Sequence, residues 1–388
     1  MEIKTVIKKN SLLISLIILF CFFSLITGGR MLAPQNISNL ILQNSYVLIM
    51  ACGMLLCILT GGNVDLSVGA VVCLVAAAAA KLLEKGASSF AVIPLCLLLS
   101  LIIGAWQGFW IGYIGIPSFI CTLAGMFMFR GFGREIIESQ TVLINNREFF
   151  DIFTAYISVP GIDSGDVKWS AFITGVILSF LVAACILYYR LMKIRKGYEQ
   201  PNSLKAGIAK VIAVDAIILA YSWKIAHFRG ISVMLLWVVV VVGFYYYLTT
   251  KSLTGRHFYA VGGNARTAEL SGINTKKIYF LAYTSMAFLA GLSSLTVAAR
   301  VGSVNGDLGN SFEMDAIGAC FIGGASAYGG SGSIFGAVAG ALLLGIINQG
   351  MSIIGIGNNW QFVIKGVILM FAVIIESVGS QWGRFQCR

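Results

Sequence analysis

Three stretches of this chain carry residues whose types and spacing exceed what an ordinary helix needs. The first, Thr60-Gly61-Gly62-Asn63-Val64-Asp65-Leu66-Ser67-Val68-Gly69, places a glycine pair ahead of three short polar side chains. Gly61 and Gly62 interrupt helical hydrogen bonding, and Asp65 and Ser67 are of the types that cap the amides of a restarting helix. Inside a bilayer, backbone freed by such a break must be covered by protein or by a water-filled cavity. The segment therefore reads as a broken helix beside a polar pathway, as a capped loop between two spans, or as both. The second stretch, 321–333, repeats the pattern in the other half of the chain with Gly323 and Gly324 as its break. Paired glycine-interrupted apolar segments in two halves are what an inverted-repeat transporter would show, although the likeness here is one of composition.

The third stretch, 253–277, reads L-T-G-R-H-F-Y-A-V-G-G-N-A-R-T-A-E-L-S-G-I-N-T-K-K. Asn264 is placed to cap a short helix after Gly262 and Gly263, Ala265, Ala268 and Leu270 give it a small apolar face, and Gly272 can end it. A helix of one or two turns does not persist alone. It must dock, either on its own bundle or in a cleft of a cytoplasmic partner.

Other chemistry is missing from the sequence. It contains no G-x-x-x-x-G-K-[ST] and no Gly-Lys dipeptide, so the chain cannot build a phosphate-cradling loop and does not hydrolyse ATP by itself. Proton relays need acids or histidines at membrane depth, and only Asp65 and Asp215 are expected well inside spans, with His227 and His257 read as solvated loop residues. This disfavours a proton-coupled secondary carrier. The long loop 134–168 offers Asp163 and Asp166 in a Gly-Ser turn, which reads as turn chemistry rather than a catalytic pair. The nine cysteines form no C-x-x-C, and no metal site or disulfide is expected.

The elements that must position these stretches are membrane helices. The 388 residues are 58% hydrophobic and 11% charged, which excludes an ordinary soluble enzyme. The apolar residues gather into twelve runs: 11–28, 39–60, 64–82, 90–112, 117–133, 169–190, 207–224, 231–250, 278–299, 315–328, 333–354 and 360–376. The seventh and tenth are the weakest, so the expectation is an all-α polytopic bundle of ten to twelve transmembrane helices with broken or re-entrant segments, forming one domain over 1–388. With the N-terminus inside, the inner segments hold 16 of the 27 basic residues, among them Lys4, Lys8, Lys9, Lys196, Lys205, Lys210, Arg384 and Arg388. Both termini are therefore read as cytoplasmic, and the net charge of +11 as topology rather than nucleic-acid binding. Gly29-Arg30-Met31-Leu32 is a poor cleavage site, so the first run is expected to stay as an anchor. Gly104, Gly108 and Gly112, and Gly336 with Gly340, make G-x-x-x-G spacings suited to close helix packing within the chain or between copies.

Taken together, the Gly-Gly-Asn-x-x-x-Ala-x-Leu-Ser-Gly-Ile loop, the Val-Asp-Leu-Ser-Val-Gly turn and the Phe-Ile-Gly-Gly-Ala-Ser-Ala-x-Gly-Gly stretch resemble the permease subunits of bacterial ATP-binding-cassette importers for monosaccharides. The xylose and multiple-monosaccharide branch is the most similar. Asp315-Ala316-Ile317, Met351-Ser352-Ile353 and Ile364-Lys365-Gly366 match as well, and the basic stretch 190–210 resembles that branch's cytoplasmic insertion. Val64 in place of an isoleucine and Glu376 in place of an aspartate are the departures noted.

The resemblance implies a homodimer in the bacterial inner membrane, importing xylose or a related sugar. It also implies a cytoplasmic ATPase with two nucleotide-binding halves that alone holds ATP and Mg, and an extracytoplasmic sugar-binding protein. By position, Gly262, Gly263, Asn264, Ala265, Ala268, Leu270, Ser271, Gly272 and Ile273 would form the element that couples to the ATPase. A neutral sugar needs hydroxyl and amide groups along its path, and Asn44, Ser45, Asn63, Asp65, Ser67, Ser326 and Asn348 are the candidates. A branched-chain amino acid permease of the same architecture is the main alternative.

Overall fold

The computed structural model describes residues 11–163, 167–195 and 203–386. Lys4, Lys8, Lys9, Asp166, Lys196, Cys387 and Arg388 lie outside the described residues. The chain folds as a bundle of helices in the order α1 (Ser11–Ile26), α2 (Pro34–Leu59), α3 (Val68–Glu84), α4 (Ser89–Phe109, continued by one π turn, Trp110–Ile114) and α5 (Ser118–Ile136). There follow α6 (Arg147–Thr154), α7 (Trp169–Arg195), α8 (Ser203–Ala226), α9 (Val233–Lys251), α10 (Leu253–Gly263), α11 (Ala265–Leu270) and α12 (Thr275–Val301). The last three are α13 (Phe312–Ile322), α14 (Ile334–Ile354) and α15 (Asn358–Gln386).

The strands are two-residue pieces that tie loops together. β1 (Val142–Leu143) pairs antiparallel with β4 (Ser303–Val304), and β2 (Tyr156–Ile157) with β3 (Ile231–Ser232).

Apolar pattern decides layer. α2 is buried continuously from Val47 to Leu59, α3 is buried over most of its length, and α12 is buried on most faces from Tyr283 to Ala299. A helix apolar all round is one that other helices surround, and these three pack on one another at the centre. α7 and α8 form a hairpin at the edge, where α7 leaves most of its apolar surface outward.

The described helices confirm the all-α membrane bundle. Six of them are each long and apolar enough to cross a bilayer unaided, and the weak seventh run is a 24-residue helix, α8. Two expected spans are corrected. The tenth run forms only the 11-residue α13, about 16 Å long at 1.5 Å per residue against about 30 Å of hydrocarbon. It does not span alone: the chain leaves α12 at Val301, turns through 302–311, and starts α13 beside the middle of α2, where Phe312 stacks on Tyr46 at 3.8 Å. The third run starts its helix at Val68 rather than Val64, because 63–67 is non-helical chain returning from the Gly61-Gly62 break.

The start of α3 packs against the turn that leads into α13. A Cβ on Gly69 would overlap the Gly309 carbonyl oxygen, and one on Gly309 would overlap that of Gly69. The G-x-x-x-G spacings are explained within the chain. Gly104, Gly108 and Gly112 bring α4 onto Thr284, Phe280 and Lys276 of α12, while Gly336 and Gly340 bring α14 onto Gly323 and Ala319 at the end of α13.

Candidate functional site

The two glycine breaks, far apart in sequence, meet in space against the basic loop. Thr60 ends α2, and Gly61 and Gly62 take φ of +110° and +76°, a region open to glycine at no steric cost. Gly329 and Gly330, at +83° and +70°, turn the second break against them, with the Gly330 N–H donating to the Leu59 carbonyl at 3.0 Å. α10 closes the third side. A Cβ on Gly262 would overlap the Leu59 carbonyl oxygen, one on Gly62 the Ala327 carbonyl oxygen, and one on Gly329 the backbone of Gly61. The second break thus touches the first through 327–330, while Gly323 meets α14 and Gly324 supplies a left-handed turn at φ +83°. The Gly61-Gly62 break therefore lies at the end of the bundle that carries the basic loop, not halfway along it.

The loop itself is a chain of capped helices. Ser252 Oγ accepts the Gly255 N–H at 2.9 Å to start α10, Asn264 Oδ1 accepts the Thr267 N–H at 3.0 Å to start α11, and Asn274 Oδ1 accepts the Lys277 N–H at 3.0 Å to start α12. α11 ends in a paired closure: Gly272, at φ +83°, donates to Glu269 at 2.9 Å and Ile273 donates to Ala268 at 3.0 Å.

The small apolar face divides. Ala268 is 5% exposed, buried against its own chain, whereas Leu270 is 77% exposed beside the Arg266–Glu269 pair at 3.4 Å. Ala265 and Ile273 are half-buried, while Gly263, Asn264, Ser271 and Gly272 are exposed.

The candidate pathway residues fall into three places. Asn63 and Ser326 serve the glycine junction: Asn63 Nδ2 donates to the Thr60 carbonyl at 3.0 Å and its Oδ1 accepts from Ser118 Oγ at 2.8 Å, while Ser326 Oγ accepts the Tyr328 N–H at 3.3 Å. Asp65 and Ser67 are fully buried. Asp65 Oδ1 accepts the Ser67 N–H and hydroxyl at 2.8 and 2.7 Å, and Gln107 Nε2 donates to Ser67 Oγ at 2.7 Å. Asp65 is therefore a turn former at the start of α3, with its Oδ2 buried and unpartnered among the described residues. Ser45 returns its hydroxyl to the Leu42 carbonyl in its own helix.

Asn44 and Asn348 are brought together. They line one cleft of about 490 Å³ between α2, the end of α12, the 305–312 turn, α14 and the start of α15. It lies at the end of the bundle opposite the basic loop, since α12 runs from that loop to Val301 and α15 starts beyond α14.

The residues that sequence reasoning missed are here. Asp315, 3% exposed, accepts from Lys365 Nζ at 2.9 and 3.0 Å and from the Tyr46 hydroxyl at 2.7 Å. The triad joins α13, α15 and α2. A charge in hydrocarbon is tolerated when paired and hydrogen-bonded, which these distances satisfy. The signal was present as one acid and one base inside otherwise apolar runs.

The residues set aside for other chemistry have local roles. Asp163 accepts the Val159 N–H at 2.8 Å, the Ser170 N–H at 2.9 Å and the Ser170 hydroxyl. The Ser170 hydroxyl and amide, with the Val159 amide, hold its carboxyl below the usual carboxylate range. It organises the loop before α7. His227 Nδ1 sits 2.8 Å from the Trp223 carbonyl and is solvent-facing, and His257 lies in α10. Asp215 is half-buried on α8.

Comparison with known proteins extends over nearly the whole chain. Residues 36–373 match the family described as branched-chain amino acid transport system / permease component. The xylose transport system permease protein XylH of Haemophilus influenzae is 34% identical over 94% of this chain and 95% of its own length. XylH of Escherichia coli K12 is 32% identical over 94% and 90%, and the ribose import permease protein RbsC of the same strain 27% identical over 96% and 95%. No solved structure matches. With a bundle of membrane helices, a capped basic loop at one end and this likeness along nearly all of its length, the chain belongs to the permease family of branched-chain amino acid transport system type.

Proposed function

We propose that the chain is the membrane-spanning subunit of an ATP-driven importer that carries a monosaccharide, xylose or a close relative, across the bacterial inner membrane into the cytoplasm. The observation that carries this reading is the 34% identity to a xylose permease over 94% of the chain, with ribose and galactose permeases next to it. On this reading residues 1–388 form one transmembrane domain and two copies assemble. A cytoplasmic ATPase with two nucleotide-binding halves supplies the energy, holding ATP and Mg, and an extracytoplasmic binding protein delivers the sugar.

The loop Gly262–Ile273 is the contact with the ATPase. Its capping gives it the stiffness that a push requires, and Leu270 with the Arg266–Glu269 pair is the surface it offers. Ala268 acts from within, seating α11 on the permease. The glycine junction lies directly behind this loop, so a displacement of α10 reaches both breaks through backbone contact rather than through flexible side chains.

The test is reconstitution in liposomes with a cytoplasmic ATPase of two nucleotide-binding halves and an extracytoplasmic sugar-binding protein. ATP-dependent xylose accumulation is expected only when all parts are present, with leucine and valine failing to compete. Accumulation by the purified chain alone, driven by a pH gradient, would overturn the reading. Leu270→Arg should lower uptake at least tenfold with normal membrane insertion; full uptake by that variant would remove the loop from the ATPase contact.

A further inference from the structure

We infer that the cleft between α2, α12, α14 and α15 is a binding site for a neutral polyhydroxylated ligand, a monosaccharide held by this chain itself on its way from the binding protein to the pathway. The inference rests on the proposed sugar reading and adds a site to it.

Seven of the 17 residues lining the cleft are asparagine or glutamine. A carboxamide both donates and accepts, which suits a hydroxyl that does the same, and a sugar leaving water must have its hydroxyls met. The amides come from four separate elements: Asn44 on α2, Asn310 in the turn before α13, Asn348 on α14, and Asn358 and Gln361 on α15. Their convergence is a product of the fold and not of a polar segment. The Asn348 side-chain oxygen, Oδ1, is buried without a partner among the described residues, a state that a ligand hydroxyl would relieve. Tyr46 and Phe312, stacked at 3.8 Å, add apolar wall, and about 490 Å³ falls within the size of small-molecule sites.

The charges on the cleft wall disfavour the competing ligand class. An amino acid zwitterion needs a free carboxylate for its ammonium and a free cation for its carboxylate. Asp307 is paired with Arg134 at 3.0 Å, and Lys365 is paired with Asp315 at 2.9 Å. Arg300 remains, donating to the Leu42 carbonyl at 3.5 Å, with no free acid on the cleft wall to complement it. A ligand without net charge at either end is the one that leaves these pairs intact.

The experiment uses the permease–ATPase complex in nanodiscs, without the binding protein, and measures binding of radiolabelled xylose at millimolar concentration. Saturable binding is expected, weakened at least tenfold in Asn348→Ala and abolished in Ser352→Trp, whose exposed side chain on the same wall fills the cleft without entering the core. In the full transporter both variants should retain the ATPase stimulation caused by the binding protein while uptake falls.

A complex that transports xylose yet shows no saturable binding, or transports normally with Ser352→Trp, overturns the site and leaves the sugar reading standing. A full transporter that moves no monosaccharide overturns that reading itself. Should either variant fail to assemble with the ATPase, Gln361→Leu on the half-buried face of α15 replaces it with the same expectation.

Discussion

The two ends of this bundle are built on opposite packing rules. At the loop end, three glycine-bearing segments press backbone on backbone so closely that no Cβ fits at Gly62, Gly262 or Gly329. At the far end, side chains from distant parts of the chain stand around open volume, and seven of them are carboxamides. Small residues let elements approach and move as one body, whereas amides around a cleft hold it open to a polar ligand. The contrast teaches that force transmission and ligand contact are separated by about half of α2 and most of α12, the two buried helices that connect them.

The comparison breaks soonest at the glycine junction. Gly262→Val forces a side chain into the Leu59 carbonyl, and overpacking of this kind costs about 1–3 kcal/mol or more. Uptake should be lost with reduced yield of folded protein in detergent by size-exclusion chromatography; wild-type yield and transport would show that the three segments part easily.

At the far end, Lys365→Met leaves Asp315 buried and uncompensated, a loss of about 3–5 kcal/mol where such pairs are broken. The double variant Asp315→Leu/Lys365→Met should recover most of it, as read by thermal unfolding. A double variant no better than the single one would mean that the pair is not what joins α13 to α15.

A smaller effect is expected in the loop. Asn264→Ala removes the cap of α11, about 1 kcal/mol, and should lower coupled ATPase activity several-fold without affecting insertion, with Asn264→Ser restoring it.

The smallest effect distinguishes both ends from the surface loop. Asp163 is held below the ordinary aspartate range in the folded loop, so its contribution is fully present above the unfolded pKa and is lost as pH falls through the depressed folded value. Protease sensitivity of the segment before α7 should stay constant from neutral pH down to the ordinary carboxylate range and rise progressively as pH falls from there through the depressed folded value, whereas Asp163→Asn should be sensitive at every pH.

Much of the bundle was legible because an apolar run of bilayer length has few other fates. The loop was legible for a different reason: Asn264, Asn274 and Gly272 sit at the positions where caps and stops are required, and each does what its type allows. What the sequence hid is long-range. α13 looked like part of a span because its residues are apolar, and nothing local says that the chain turns back through 302–311 to place Phe312 on Tyr46. The meeting of the two breaks was hidden similarly, since Gly62 and Ala327 are contiguous only in the fold. Asp65 and Ser67 drew attention as a polar pair within an apolar stretch and proved to bond each other. The cleft escaped because its amides are scattered from Gln43 to Gln361 and no stretch contains more than a few of them.

The Asp315–Lys365 pair also bears on how the protein is made. Its partners are separated by fifty residues, so the acid emerges from the ribosome well before the base. α13 is too short to settle in lipid unaided and carries a carboxylate that has no cation until α15 arrives. The last helix in turn brings a lysine that an isolated apolar segment would hold in lipid only at a cost. Each is a poor guest of the bilayer alone and an acceptable one beside the other, so the settling of α13 in the bilayer is tied to the arrival of α15.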